Sequence, residues 1–232
     1  MMLTCENTWK DIEDSGVKTA VVPIGSTEQH GNNLPLATDC LLTEPVAASI
    51  AERLGAYLVP QIPIGQSEQW LAYPGSLSFS ADTMRAVIAD IVDSLVRTGF
   101  TTIVFVSVHG GNDVIWSGYL EQLADKHSSV RVACADLDRA FEEATRTAGV
   151  PSANHADEAE ASMIASIRPD LIGPDPVDCP VPPSGYPEGP VREISPSGSL
   201  GEPSKGSKAK GDRIWEMLRR VAVDAIVRRL NA

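Results

Sequence analysis

Short apolar runs alternate with longer amphipathic stretches along this chain, and that alternation restricts its fold more than any other feature. Residues 20–24 (AVVPI) form an apolar run closed by Gly25, as in a buried strand that enters a loop. From Asp39 the spacing becomes helical: Leu41, Leu42, Pro45, Val46, Ile50 and Leu54 make one stripe, ended by Gly55. Asp39 is therefore near a helix N-terminus. Residues 57–60 (YLVP) read as the next strand. A second helical stripe, Met84, Val87, Ile88, Ile91, Val92 and Leu95, starts behind Ser80 or Asp82 as its cap and stops at Gly99. Residues 101–108 (TTIVFVSV) are the clearest buried strand, and His109 ends it. A helix over 113–127 and a strand over 130–135 follow. Strands that are apolar on both sides need cover on both faces. The order of elements thus predicts an α/β fold, three-layer α/β/α with a largely parallel central sheet.

The remainder is less regular. Residues 61–79 carry two prolines and two glycines among alternating apolar positions, which suggests an active-site loop that includes a strand. Residues 154–167 (NHADEAEASMIASI) start as a polar loop and become a helix that Pro169 stops. Residues 173–211 are rich in Pro, Gly and Ser; they are too long for a casual connector and read as a packed functional segment. Ile214, Met217, Leu218, Val221, Val223, Ile226, Val227 and Leu230 mark a final amphipathic helix from Asp212. At 232 residues the chain is expected to form a single domain, residues 1–232.

Charge narrows the partners. Lys plus Arg number 19 against 31 Asp plus Glu, a net charge of -12. Such a field repels phosphate backbones, so nucleic acid is not an expected partner. The one basic gathering, Lys205, Lys208, Lys210, Arg213, Arg219 and Arg220, is interrupted by Asp212 and Glu216 and reads as a solvated helix flank. Cysteines at positions 5, 40, 134 and 179 form no CxxC and no close pair, which gives neither a zinc knuckle nor a disulfide scaffold. No cationic start leads into an apolar stretch, and no run of 18 apolar residues occurs. Neither export nor a membrane partner is expected, and the cytoplasm is the expected setting.

Three polar clusters interrupt this frame. Ligand sites in parallel sheets collect beyond the carboxyl ends of strands, and the first two clusters leave strands there. Residues 25–39 (GSTEQHGNNLPLATD) set Glu28 and His30 two apart, on one face if extended, and let Asp39 return from the next helix. Two carboxylates and an imidazole suit Zn, Mn or Fe, and a bridging Asp can serve two ions. Taken singly, Glu28 and Asp39 read more readily as loop or helix-cap carboxylates, and His30 equally as a hydrogen-bonded loop histidine. HGGN at 109–112 puts His109 at a strand end, followed by glycines that let the backbone approach a bound group. Asn112 either holds that turn or donates to a substrate oxygen. HADEAE at 155–160 offers Glu160 as a further ligand on a first helical turn, with His155 or Glu158 left to handle a proton. The interval of two keeps Glu158 and Glu160 off a common helix face, so their tasks should differ. A helix N-terminus would favour both acids even without a metal.

PIGSTEQHGNNLPLATD, HGGN and HADEAEAS resemble the three signatures of the creatininase (creatinine amidohydrolase) family, which run close to GSxEQHGPHLPLxTD, HGGN and HAGExETS. The similarity spans most of the chain, with PGSLS at 74–78 and GEPSKGSKAKG at 201–211 in familiar places. The resemblance implies an α/β/α fold, a centre of divalent metal that commonly holds two ions, and a small-molecule amide or related C–N bond as substrate. It assigns Glu28, His30, Asp39, His109 and Glu160 to ligand positions, with Asp39 as the bridge, and puts His155 and Glu158 in the acid/base region. It also implies a closed homo-oligomer, a hexamer. Creatininase proper has a glutamate two residues after the strand-end histidine, where this chain has Gly111; that leaves the make-up of one metal position open. Asn32, Asn33, Asp157 and Ala161 replace the usual proline, histidine, glycine and threonine, and residues 135–154 lack the tryptophan that creatininase sets against its ring substrate. These changes count against creatinine and leave amide hydrolysis intact. Trp70 and Tyr73 either line a replacement pocket or fill the core.

The expected chemistry is attack of a metal-activated water on an amide carbonyl, with Glu158 or His155 protonating the departing nitrogen. A covalent serine or cysteine route is disfavoured, since no GxSxG elbow occurs and no cysteine adjoins the histidine signatures. Neither a dinucleotide fingerprint nor a Walker sequence is present. The alternatives are a metal-dependent lyase or isomerase and a non-catalytic homologue that retains the pocket.

Overall fold

The computed structural model describes every residue except 1, 117, 128, 136, 151–153, 183, 184, 186 and 232. Its elements are α1 (Trp9–Ser15), β1 (Thr19–Pro23), α2 (Thr38–Leu54), β2 (Tyr57–Leu58), α3 (Ala81–Arg97), β3 (Thr102–Val106), α4 (Asp113–Trp116), α5 (Tyr119–Lys126), β4 (Arg131–Cys134), α6 (Leu137–Ala148), α7 (Glu158–Ile167), α8 (Val191–Ile194) and α9 (Lys208–Asn231), joined by loops and short 3-10 turns. The four strands are all parallel and lie in the order β2-β1-β3-β4.

Successive strand residues face opposite ways, and here both directions lead into apolar layers. Ala20 and Val22, with Ile103 and Phe105, meet Met84, Ile88 and Val92 of α3 and Leu120 and Leu123 of α5. Val21, Val104 and Ala133 meet the other layer, built from α2, α6, α7 and α9. The expected three-layer α/β/α arrangement is what the chain adopts.

Strand order reverses at β1. The chain leaves β1 through α2 to reach β2 on one side, then crosses by α3 to β3 on the other, and α2 and α3 cover opposite faces. Such a reversal opens a crevice beyond the carboxyl ends of the two central strands. Residues 24–37 and 107–112 leave β1 and β3 at that edge.

Several local expectations are corrected. The helix expected over 113–127 is two pieces, because Gly118 takes a left-handed φ of 73° between α4 and α5. The 61–79 loop holds a 3-10 turn at Glu68–Trp70 and no strand; Ile62 makes a single bridge to Ile24. Helix α6 was not foreseen, since its buried stripe of Leu137, Ala140, Ala144 and Ala148 is mostly alanine and gives little apolar contrast. Helix α9 begins at Lys208, ahead of the expected Asp212.

Helices α7 and α9 come together at small residues. A Cβ added at Gly211 would lie 1.9 Å from the Ser162 carbonyl oxygen and 2.9 Å from Ser166 Cβ, and one at Gly206 would lie 2.7 Å from Ala161 Cβ. The Trp215 indole N–H then donates to the Met163 carbonyl at 3.1 Å across the same contact. Gly211→Ala should therefore force α9 away from α7 and lower stability by about 1–3 kcal/mol, read as a reduced denaturation midpoint. An unchanged midpoint would mean that the helices separate without cost.

Candidate metal centre

The first cluster is folded inward by a close approach. A Cβ at Gly25 would stand 2.6 Å from Cys40 Sγ and 2.8 Å from Cys40 Cα, so only glycine lets the start of α2 close over the end of β1. That closure brings Asp39, in the first turn of α2, to the residues that leave the strand. Glu28 is tied to the same stretch by its backbone N–H, which donates to the Leu36 carbonyl at 3.0 Å.

The structure brings Glu28, His30, Asp39, His109, His155 and Glu160 together into three overlapping groups: Glu28 with Asp39 and His109, His30 with Asp39 and Glu160, and Glu28 with His30 and His155. Asp39 joins the first two. Its Oδ2 lies 3.2 Å from His109 Nδ1, while its Oδ1 lies 3.5 Å from His30 Nε2. Glu160 Oε1 is 3.8 Å from the same His30 nitrogen, and Glu28 Oε1 is 3.6 Å from His155 Nδ1. Two donors each about 2 Å from one tetrahedral ion stand about 3.3 Å apart. The observed spacings, 3.2 to 3.8 Å, lie at or slightly beyond that edge.

Hydrogen bonding supports the same use. Glu28 Oε1, His30 Nε2 and Asp39 Oδ2 are buried and make no hydrogen bond. Buried polar atoms normally find partners, and one left alone costs about 1–3 kcal/mol. The opposite ring nitrogens are all engaged by backbone carbonyls, which can only accept. His30 Nδ1 donates to the Glu28 carbonyl at 3.1 Å, His109 Nε2 to that of Gln66 at 2.9 Å, and His155 Nε2 to that of Gln29 at 2.8 Å. Each ring is thereby held with its free nitrogen toward the carboxylates, the usual bracing of a metal-binding imidazole.

Charge in the cluster is unbalanced. Burial and the neighbouring Asp39 push Glu28 up to about 7, and burial raises Glu160 to about 8 against the pull of His30. Asp39 is buried too, yet the His30 and His109 imidazoles hold it well below the usual carboxylate range. Burial opposes charge on His30 and His109, but Asp39 and, for His30, Glu160 outweigh it and raise them to about 10 and about 9. His155 goes the other way: burial and the charge on His30 depress it well below an ordinary histidine. Protons on His30 and His109 thus fill the role that a divalent cation would take.

The third cluster arrives on α7. Asp157 caps that helix by accepting from the Ala159 and Glu160 N–H groups at 2.8 and 3.2 Å, and the Asn154 N–H donates to its other oxygen at 2.8 Å. This gives a structural task to the acid that stands where the family signature has glycine. Glu160 Oε2 accepts from the Ala156 N–H at 2.5 Å, which leaves Oε1 facing His30. Ala156 pays for the turn with a left-handed φ of 48°. The Glu158 carboxylate points elsewhere: it accepts from Lys210 Nζ at 2.5 Å, and Lys210 also donates to the Lys205 carbonyl at 2.9 Å. Glu158 belongs to none of the three donor groups.

Gly111 also has a physical reason. A Cβ there would fall 2.2 Å from the Gln66 carbonyl oxygen and 2.4 Å from His109 Nε2, so any side chain would part the bond that orients His109. Asn112 holds the turn: its Oδ1 accepts from the Gln66 N–H at 3.0 Å, and its Nδ2 donates to Ser107 Oγ at 3.0 Å and the Gly25 carbonyl at 3.3 Å.

Sequence reasoning missed Ser26, Ser67 and Gln29. The Ser26 and Ser67 hydroxyls are 2.5 Å apart, and they reach Glu28 Oε2 at 3.2 Å and His109 Nε2 at 3.3 Å respectively. Gln29 accepts from the Gly31 N–H at 2.9 Å and donates to the Gly198 carbonyl at 3.0 Å, which draws the 195–201 segment over the site. No spacing rule marks such residues. Trp70, left between pocket wall and core, is buried and stacks on His155.

A sequence profile of the creatininase (creatinine amidohydrolase) family matches residues 5–226. The mycofactocin precursor peptide peptidase of Mycolicibacterium smegmatis is 30% identical over 231 residues, which cover 92% of this chain and 86% of that protein. The creatinine amidohydrolase of Pseudomonas putida is 27% identical over 246 residues, with 95% and 94% covered. Among solved structures, a manganese creatininase superposes with a TM-score of 0.83 over 99% of both chains at 24% identity.

A cation entering this cluster must displace protons from groups raised to about 7, 8, 9 and 10. Zinc titrated calorimetrically near neutral pH should release protons, seen as a heat that depends on the buffer, and its apparent affinity should fall as pH drops from 9 toward 6. Binding heats that do not depend on the buffer would contradict this electrostatic picture.

Proposed function

Because the chain belongs to the creatininase family and is a metal-dependent amidohydrolase, we propose that it cleaves a small amide or other non-peptide C–N bond, or the amide of a short peptide, at this centre. Glu28, Asp39 and His109 would hold one divalent ion, and His30, Asp39 and Glu160 would hold a second. The observation that carries this reading is Asp39, whose two oxygens face two different donor groups. Zn, Mn and Fe all suit such a mixed set of oxygen and nitrogen donors. When bound, the ions supply Lewis acidity that acidifies a water and polarises an amide carbonyl.

His155 moves the proton. Its ring is buried at the edge of the donor groups with Nδ1 facing Glu28, and its depressed basicity keeps it neutral at pH 7, able to take a proton from water and pass it to the departing nitrogen. Glu158, the other candidate, is engaged by Lys210, which supports His155 in this role and gives Glu158 that of anchoring the start of α7.

Among substrates we favour a short peptide or another open-chain amide over creatinine. The 30% identical relative is named a peptide peptidase, and residues 135–154 contain no tryptophan to stack on a flat ring. A single domain over residues 1–232, a closed homo-oligomer such as a hexamer and a cytoplasmic setting belong to the same proposal. Among the described residues, no helix is long and apolar enough to cross a membrane.

Metal analysis coupled to mass-spectrometric screening of short peptides, N-formyl compounds and small cyclic amides tests this reading. Products should gain the mass of one water, and Asp39→Ala should lose both bound metal and turnover. His155→Ala should keep its metal and lose about 10²- to 10⁴-fold in kcat. An Asp39→Ala protein that keeps its metal and turnover would remove the basis of the two-ion assignment, and isomeric products without added water would point to a lyase or isomerase.

A further inference from the structure

The loop over residues 65–70 reaches two imidazoles of the centre. It orients His109 through the Gln66 carbonyl and the Ser67 hydroxyl. Its contact with His155 is of another kind, made by an indole that offers the ring no hydrogen bond.

Three neighbours define the place of the His155 ring. Nε2 donates to the Gln29 carbonyl at 2.8 Å with the Gln29 side-chain amide nitrogen also 2.8 Å from it, the His30 ring lies 4.5 Å away at a 40° tilt, and the Trp70 indole lies flat on it, with centroids 3.8 Å apart and planes 15° from parallel. Both polar contacts are made at Nε2, and contacts at one ring atom leave an imidazole free to rock about that atom, because the terminal torsion of histidine is broad. A flat surface against the ring face removes this freedom. Trp70 is suited to supply it, being 5% exposed and fixed at the end of a 3-10 turn by its N–H, which donates to the Ser67 carbonyl at 3.0 Å.

The indole is also braced from behind. The Tyr73 ring lies 6.4 Å from it at 50°, and the Tyr73 hydroxyl donates to the Ser195 carbonyl at 2.6 Å. The Arg192 guanidinium sits 5.3 Å from the Tyr73 ring centroid. A tryptophan backed in this way is a fixed wall and not a swinging lid.

We infer that Trp70 is a positioning residue: its stacked indole holds the His155 imidazole in the one orientation that turns Nδ1 toward Glu28 and the reacting amide. The inference rests on the reading of His155 as the proton carrier. It assigns Trp70 to the chemistry through His155, and not to a wall that binds substrate directly.

Two measurements test it. In zinc-loaded protein with ¹³C-labelled histidine, His155 is identified among the four histidines by its absence in His155→Ala. Its Cε1–H signal should be shifted upfield by the indole and sharp. Trp70→Ala should move that signal downfield and broaden it, whereas Trp70→Phe should keep part of the shift. A signal unchanged in Trp70→Ala would overturn the inference, whatever the enzyme acts on.

The second measurement uses the compound in the amide panel that is turned over. Trp70→Ala should lower kcat about tenfold with little change in KM, Trp70→Phe should recover most of the loss, and metal content should stay constant. In a His155→Ala background, Trp70→Ala should cost nothing more. Equal losses in both backgrounds, or a change in KM alone, would make Trp70 a structural or substrate-binding residue instead. If the unsubstituted protein turns over no compound, the functional reading fails, and the histidine signal alone decides the role of Trp70.

Discussion

Two buried carboxylates, Glu28 and Asp39, and a third that is largely covered, Glu160, stand together at the carboxyl edge of the sheet, and the local structure is organised around that burden. An ionised group taken out of water costs several kcal/mol unless positive charge or hydrogen bonds meet it. Here only part of the demand is met inside the chain. Asp39 stays charged because His30 and His109 flank it, while Glu28 and Glu160 are pushed toward their neutral forms. Side-chain oxygens and nitrogens without hydrogen bonds lie between these groups. Divalent ions held by these groups would remove the imbalance, and their concentrated positive charge would supply the Lewis acidity that amide hydrolysis needs.

Holding such a cluster requires backbone to come very close to side chains. Gly25 lets α2 close over β1, Gly111 leaves room for the Gln66 carbonyl beside His109, and Gly65 would otherwise strike Asn112, whose Oδ1 would be 2.7 Å from an added Cβ. The imidazoles are then oriented by main-chain carbonyls of residues 28, 29 and 66, groups present whatever the local side chain. Precision in the centre therefore comes from loop path as much as from residue type. The left-handed Ala156, between His155 and the Asp157 cap, is one place where that path carries strain.

Much of this was legible in the chain. The apolar runs of β1 and β3 and the stripes of α2 and α3 have no polar alternation to confuse them, so the layered parallel sheet followed from their order. The candidate donors were legible because acids and histidines at strand ends are chemically conspicuous, and their motifs resemble a family. Elements with weak contrast were not: α6 presents alanines inward, and the break at Gly118 leaves the surrounding helical spacing in place. The residues that support the site, Ser26, Ser67, Gln29 and Trp70, are ordinary in sequence. What places them includes distant partners, 41 positions away in the bond from Ser26 to Ser67 and 169 in that from Gln29 to Gly198.

Local order, hydrophobic period and the chemical kind of each donor were determined by the sequence alone, since these depend on neighbours within a few residues. The division of donors into groups that share Asp39 was decided only by the tertiary structure. So were the pairing of Glu158 with Lys210 and the face of His155 that Trp70 covers. The reason is geometric: a side chain's charge is written in its residue type, but its direction is set by backbone packed against it from distant parts of the chain.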